Sequence, residues 1–163
     1  MNRRRRIALV IFLIVDVGYI LWGAMAAFWL DHLMGPHGVP ILPAGYEGYT
    51  HSSWAAMASA SPQTAGYIEV LYRTYGVYNL AFGLMTVAIA LTAFRRGERW
   101  AWWALLVGNT IALVGAIIYD RTVNAIGPFE ILEYVGLALV WVACAMTARL
   151  NAPRLPEAIQ AAA

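Results

Sequence analysis

The chain has 163 residues, 61% of them hydrophobic and 12% charged, with a formal net charge of +2. Soluble domains carry about 25% charged residues, so this composition excludes an ordinary water-soluble fold and points to one membrane domain. All eleven basic residues are Arg and they form no face or stripe, which excludes a nucleic-acid partner. The single cysteine, Cys144, excludes an intrachain disulfide and a Cys-based zinc site.

In chain order, four stretches reach the roughly 20 apolar residues that a membrane helix needs. They are 7–30, 66–94, 100–119 and 129–148. The expected fold is all-α: a polytopic membrane protein whose residues 1–150 form a single four-transmembrane-helix bundle. Residues 151–163, with Pro153 and Pro156, read as a cytoplasmic tail. Arg3–Arg6 precede the first span, Arg95, Arg96 and Arg99 fill the turn between the second and third, and Arg149 and Arg154 follow the fourth. The positive-inside rule then places both termini in the cytoplasm, and the expected location is a bacterial cytoplasmic (inner) membrane. Arg3–Arg6, an apolar run and Ala24-Met25-Ala26 also have the form of a signal peptide. The apolar run is too long for that and contains Asp16, so an uncleaved first helix is expected. Trp100, Trp102 and Trp103 at one end, and Trp29, Tyr67, Tyr119 and Phe129 at the other, suit two interfacial belts.

The extracytoplasmic loop 31–65 is longer than a simple bundle connection. Ser53–Ala60 is expected to form a short amphipathic helix on the membrane, with Trp54 and Met57 turned inward, and Ser61-Pro62 to start the second span. The loop holds all three histidines, His32, His37 and His51. They are weak metal candidates with Asp31, because their spacing matches no compact ligand motif; no metal is expected.

The polar residues inside the spans carry the functional expectation, because ionisable groups at membrane depth are costly and face a bundle interior or cavity. Glu69, Tyr72, Arg73, Gly76, Asn79, Gly83 and Thr86 share one face of the second span. Glu130, Glu133, Tyr134, Leu137, Trp141 and Cys144 form a similar stripe on the fourth. With these faces inward, Arg73 is expected to meet Glu133, with Glu69 a turn above. A second, deeper layer joins Asp16, Asn79 and Asn109. Asp16 has no cation at its depth, so desolvation favours an un-ionised carboxyl. Either layer serves as interhelical glue or as a pocket. The ligand-pocket candidates are Arg73, Glu69, Glu133, Glu130, Tyr72, Tyr134, Asp16, Asn79, Asn109 and Tyr119.

Leu71-Tyr-Arg-Thr-Tyr-Gly76, followed by Asn79, Gly83 and the Arg95–Arg99 hairpin, resembles small bacterial four-helix membrane proteins of the DoxX-like group. The resemblance covers roughly residues 66–148 and implies a four-span bundle. Some members of the group are linked to quinone-associated oxidoreductase assemblies, and the long His-bearing loop departs from its pattern.

No catalytic motif is recognisable, and no cofactor is specified. The first functional reading is a membrane protein that binds an apolar small molecule, lipid-like or quinone-like, or serves as accessory subunit of a larger membrane complex or homo-oligomer. Its constant partner is the lipid bilayer. The alternative is a small intramembrane enzyme, an isomerase, hydratase or quinone-linked oxidoreductase. It would use Asp16, Glu69 or Glu133 as acid or base with Arg73 as electrostatic stabiliser. A transporter ranks third, for want of an inverted repeat or a broken helix.

Overall fold

The computed structural model describes residues 1–35, 38–124 and 128–148, with backbone alone at 128–130. His37, the Glu130 side chain, Gly127 and the tail 151–163 lie outside the described part.

Six α-helices carry the described fold. Helix α1 runs from Arg3 to Phe28, and the side chain of its N-cap Asn2 accepts the Arg5 N–H at 2.9 Å. After a short 3-10 turn at Leu30–His32 come α2, Ile41–Thr50, and α3, Trp54–Ala60. Helix α4 spans Pro62–Ile89 and continues as a π-helical turn over Ala90–Phe94. Helices α5, Arg99–Thr122, and α6, Pro128–Thr147, complete the chain. Three of these helices, Arg3–Phe28, Pro62–Phe94 and Arg99–Thr122, are long and apolar enough to cross a membrane; the apolar part of α6 described in full, Ile131–Thr147, is shorter.

The four long helices pack as an antiparallel ring in which α1 lies between α4 and α6, and α5 lies against α6. The tightest seam is between α1 and α4, where small residues let two backbones touch. A Cβ added at Gly23 would collide with the Leu80 amide nitrogen, and one at Gly76 would lie 2.9 Å from the Ala26 carbonyl carbon. At Gly83 it would lie 2.9 Å from the Asp16 carbonyl oxygen. Membrane helices associate through this kind of close van der Waals contact, since lipid offers no hydrophobic contrast.

The buried apolar core occupies the Arg-rich end of the ring. Ala8, Leu9 and Phe12 of α1 meet Ala90, Ala93 and Phe94 of the π turn, Ala101 and Leu105 of α5, and Val140 and Ala143 of α6. Phe12 and Phe94 stack edge to face at 5.1 Å. Trp102 is half-buried there, its indole N–H donating to the Cys144 carbonyl at 3.2 Å and to Thr147 Oγ1 at 3.1 Å, so it ties α5 to α6.

The α4–α5 turn ends as a Schellman motif. Gly97 takes φ +89°, and the Glu98 and Gly97 amides donate to the Ala93 and Phe94 carbonyls at 3.0 and 2.9 Å. The Glu98 carboxylate accepts from Trp100 Nε1 at 2.6 Å and Arg96 Nε at 2.8 Å, and these bonds hold its carboxyl below the usual carboxylate range. A depressed folded-state value stabilises the turn fully above the ordinary carboxylate range, and the benefit fades as pH falls through the lowered value. Trp100 fluorescence is expected to change over that acidic window in wild type and to stay flat in Glu98→Gln.

The segment between α1 and α4 folds as a cap. Helix α3 appears where the sequence places it, with Trp54 and Met57 half-buried, and the Ser53 hydroxyl oxygen accepts the Ala56 N–H at 3.3 Å. Helix α2 is an addition to the sequence reading. Its Pro43, Gly45 and Gly48 look like loop signals, but Pro43 sits in the first turn, where an amide N–H needs no helical partner. Gly45 and Gly48 lie where α2 crosses the end of α5. A Cβ at Gly48 would strike the Val123 carbonyl, and one at Gly45 would stand 3.6 Å from the Tyr119 hydroxyl.

Candidate functional site

The first cluster is a latch at the capped end. Arg73 of α4 donates through Nε to Glu69 Oε1 at 2.9 Å and through Nη1 to the Ala27 carbonyl at 3.2 Å, and its Nη2 lies 3.5 Å from Asp31 Oδ2. One guanidinium thus joins the last turn of α1, the turn after it and α4. The carboxylates that meet Arg73 are Glu69 and Asp31. The expected meeting with Glu133 is not what forms: Glu133 belongs to the surroundings of Tyr19 and Tyr72. The fork of Arg73 turns to α1 because the glycine seam holds α1 closest to α4. Asp31 has a legible sequence signal, an acid just past a span end at the depth of Arg73, but its position in a loop concealed it.

The second cluster lies between α4 and α5. These two helices meet mainly where the π turn abuts α5, at the Arg-rich end. A Cβ at Gly108 would lie 3.5 Å from the Phe82 ring, whereas one at Gly115, two turns higher on the same flank, would meet nothing within 4 Å. The helices therefore diverge above Phe82. The flank of α5 is open at Gly115, and toward the capped end the Tyr119 hydroxyl stands 3.6 Å from where a Cβ of Gly45 in α2 would lie. Tyr72 and Tyr75 of α4 converge on Tyr119, with Asp120 and Glu133 in the neighbourhood of Tyr72. Trp22 of α1 backs this group, its ring 5.5 Å from Tyr75 and 6.1 Å from Tyr72.

The third cluster is the deep layer. Asp16 is fully buried, flanked by Thr86 of α4 and Asn109 of α5. Asn109 therefore joins Asp16 as expected, but Asn79 does not: it sits about two turns nearer the cap and donates to the Tyr75 carbonyl of its own helix at 3.1 Å. Thr86 takes its place, because the antiparallel register that sets Gly83 against the Asp16 backbone puts Thr86, three residues on, beside the Asp16 side chain.

The stripe on α6 divides. Glu133 and Leu137 are half-buried and Cys144 buried, but Tyr134 and Trp141 are exposed on the edge toward α5. There Arg121 Nη2 donates to the Tyr134 hydroxyl at 3.2 Å, and the Trp141 indole to Thr110 Oγ1 at 3.1 Å. Long aromatic side chains at the rim of a stripe reach sideways to a neighbouring helix when polar partners stand there. His32 and His51 are exposed, and no group of three metal-ligating side chains converges among the described residues.

The outer surface of the ring is apolar over its whole height. On α1, Ile14, Leu21 and Phe28 are 63%, 61% and 61% exposed; on α5 and α6, Ile111 and Ile131 are 68% and 66% exposed. Monomeric soluble proteins rarely show continuous apolar patches of more than a few hundred Å². Fold and surface together define an all-helical chain, among the described residues, with several apolar helices compatible with a membrane protein. Comparisons with protein-family models, curated proteins and solved structures found no match.

Proposed function

We propose that this chain is a four-span integral protein of a bacterial cytoplasmic membrane, with both termini inside, that holds a lipid-like amphiphile in the opening between α4 and α5. The reading keeps the kinship with the DoxX-like group. The observation that carries it is the divergence of α4 and α5 above Phe82, beside an open flank at Gly115 and beneath three converging tyrosines. The positive-inside rule puts the cap outside. At that height the tyrosine hydroxyls stand at headgroup level, where amphipathic rings are favoured, and an apolar chain lies along Ala112 and Gly115 within the hydrocarbon. The hydroxyls supply donors and acceptors for a polar head, while the apolar flank supplies the dispersion contacts typical of small-molecule sites. Binding without chemistry is preferred over the enzyme reading because Arg73, the expected electrostatic stabiliser, is engaged by Glu69, Asp31 and Ala27.

Gly115→Leu tests this. The new side chain enters open space, so the variant is expected to fold with a stability change under about 1 kcal/mol, as at an unconstrained exposed site. Native mass spectrometry after mild-detergent extraction is expected to find an amphiphile with wild type and at least a tenfold smaller share with Gly115→Leu. Equal ligand loads, or a ligand-free wild type, would remove the proposal. A stable larger complex retaining no small molecule would favour the accessory-subunit reading.

A further inference from the structure

Asp16 and Asn109 are both 0% exposed, and neither Asp16 oxygen has a hydrogen-bond partner among the described residues. The two polar side chains that flank the carboxyl also bond to their own helices. The Thr86 hydroxyl donates to the Phe82 and Gly83 carbonyls, each at 3.1 Å, and the Asn109 amide nitrogen to the Leu105 carbonyl at 3.0 Å. Asn109 Oδ1 is likewise buried without a partner. What meets at the centre of α1, α4 and α5 is therefore an oxygen-rich group of two carboxyl oxygens, an amide oxygen and a hydroxyl, with the Thr86 hydroxyl and the Asn109 amide as the polar neighbours of the carboxyl. A carboxylate out of water with no cation beside it is strongly disfavoured. None of the described cations answers it. Arg73 is held in the latch, Arg121 lies at the far end of α5, and the remaining described arginines lie at the Arg-rich end.

We propose that Asp16, Asn109 and Thr86 form a binding site for a single positive charge, supplied as a proton or as a sodium ion. One unit charge neutralises the one carboxylate; a divalent ion would leave an uncompensated charge in the same apolar interior. Carboxylate, amide and hydroxyl oxygens are hard donors, which disfavours soft transition metals. A proton on Asp16 would let the carboxyl donate to Asn109 Oδ1, and a sodium ion would take the same oxygens as ligands. The titratable groups around the site are few. Tyr19 stands one turn along α1 with its buried hydroxyl also unpartnered, and Glu133 of α6 lies beyond it. Cys144 of α6 belongs to the core toward the Arg-rich end. Helices α4 and α5 present no titratable side chain between Tyr78 and Arg95 or between Arg99 and Tyr119. Tyr19, within electrostatic reach of both Asp16 and Glu133, lies on a line from the site toward the capped end. This inference is independent of the amphiphile opening.

Infrared spectroscopy of the purified full chain in lipid nanodiscs tests it, with wild type and Asp16→Asn compared in sodium chloride and in choline chloride at matched ionic strength. In choline chloride at neutral pH, wild type is expected to show the carbonyl band of a protonated carboxylic acid that Asp16→Asn lacks. If a proton is the occupant, that band persists in sodium chloride and is lost only on raising pH. If sodium is the occupant, sodium chloride removes the band. Should Asp16→Asn not fold, Asn109→Ala reads the same group, because losing the acceptor is expected to shift the band to higher frequency. A wild-type spectrum with no protonated-carboxyl band in either salt, or with one insensitive to both substitutions, overturns the proposal.

Discussion

Gly76→Val is expected to leave little folded protein in the membrane fraction. A Cβ at this position would already stand 2.9 Å from both the carbonyl carbon and the Cβ of Ala26, and closer still to the Ala27 amide. Valine adds two further carbons in the same direction. Overpacking costs about 1–3 kcal/mol where side chains can move aside; here the obstacle is the backbone of α1, so the loss is expected at or above about 3 kcal/mol. The effect spreads, because separating α1 from α4 at Gly76 also lifts Gly23 off Leu80 and Ala27 away from Arg73. Gly115→Ala is the matched control: its Cβ meets nothing within 4 Å, and removing a helical glycine is expected to stabilise by roughly 0.5–1 kcal/mol. Thermal unfolding in detergent, read beside the monodisperse fraction on gel filtration, separates the two. A Gly76→Val protein as stable as wild type would show that the α1–α4 seam is wider than described.

Arg73→Met is the second large effect, and it is expected to act on the cap. Methionine keeps the length of the stem but removes every donor. Glu69 then faces Asp31 without a cation between them, and the Ala27 carbonyl loses its side-chain partner. A fully buried pair broken this way costs about 3–5 kcal/mol. The side chains of Arg73 and Glu69 are 29% and 42% exposed, and Asp31 is largely exposed, so solvent screening reduces the expected cost to about 1–2 kcal/mol. The local readout is larger: limited proteolysis within 38–60 is expected to accelerate several-fold while the helices stay protected. Arg73→Lys is expected to recover little, since a single ammonium cannot reproduce a fork directed at a carboxylate, a backbone carbonyl and a second acid. Glu133→Gln is expected to leave cap proteolysis unchanged, because Glu133 takes no part in the latch. Equal acceleration by Glu133→Gln would show that the two sites are coupled.

Helix positions are legible because they follow from length, hydropathy and punctuation: Pro62 at the start of α4 and the α4–α5 turn among Arg95, Arg96 and Arg99 lie where the local signals put them. Helix α3 is legible for the same reason. Helix α2 is not, since a proline and two glycines in ten residues outweigh its pattern until the end of α5 gives it something to pack on. The π turn at Ala90–Phe94 has no sequence mark at all.

Among the site residues, the choice of face on α4 is legible and the choice of partner is not. A charged stripe inside an apolar span must turn inward, so Arg73, Tyr72 and Thr86 are identifiable from spacing. Whether Arg73 meets α6 or α1 depends on interhelical distance, and that distance is set by Gly23, Gly76 and Gly83 in the α1–α4 seam. The same seam fixes the register that exchanges Asn79 for Thr86 beside Asp16.

By itself, then, the sequence determined an all-helical apolar chain with its arginines at the ends, and a set of polar residues too costly to face lipid. Those properties are local or additive along the chain. Only the packing of the helices settles that Arg73 latches the cap through Asp31, that α4 and α5 part above Phe82, and that Asp16 lies between Thr86 and Asn109. Each of these depends on how closely two particular helices approach, which is a property of paired surfaces and not of any one segment.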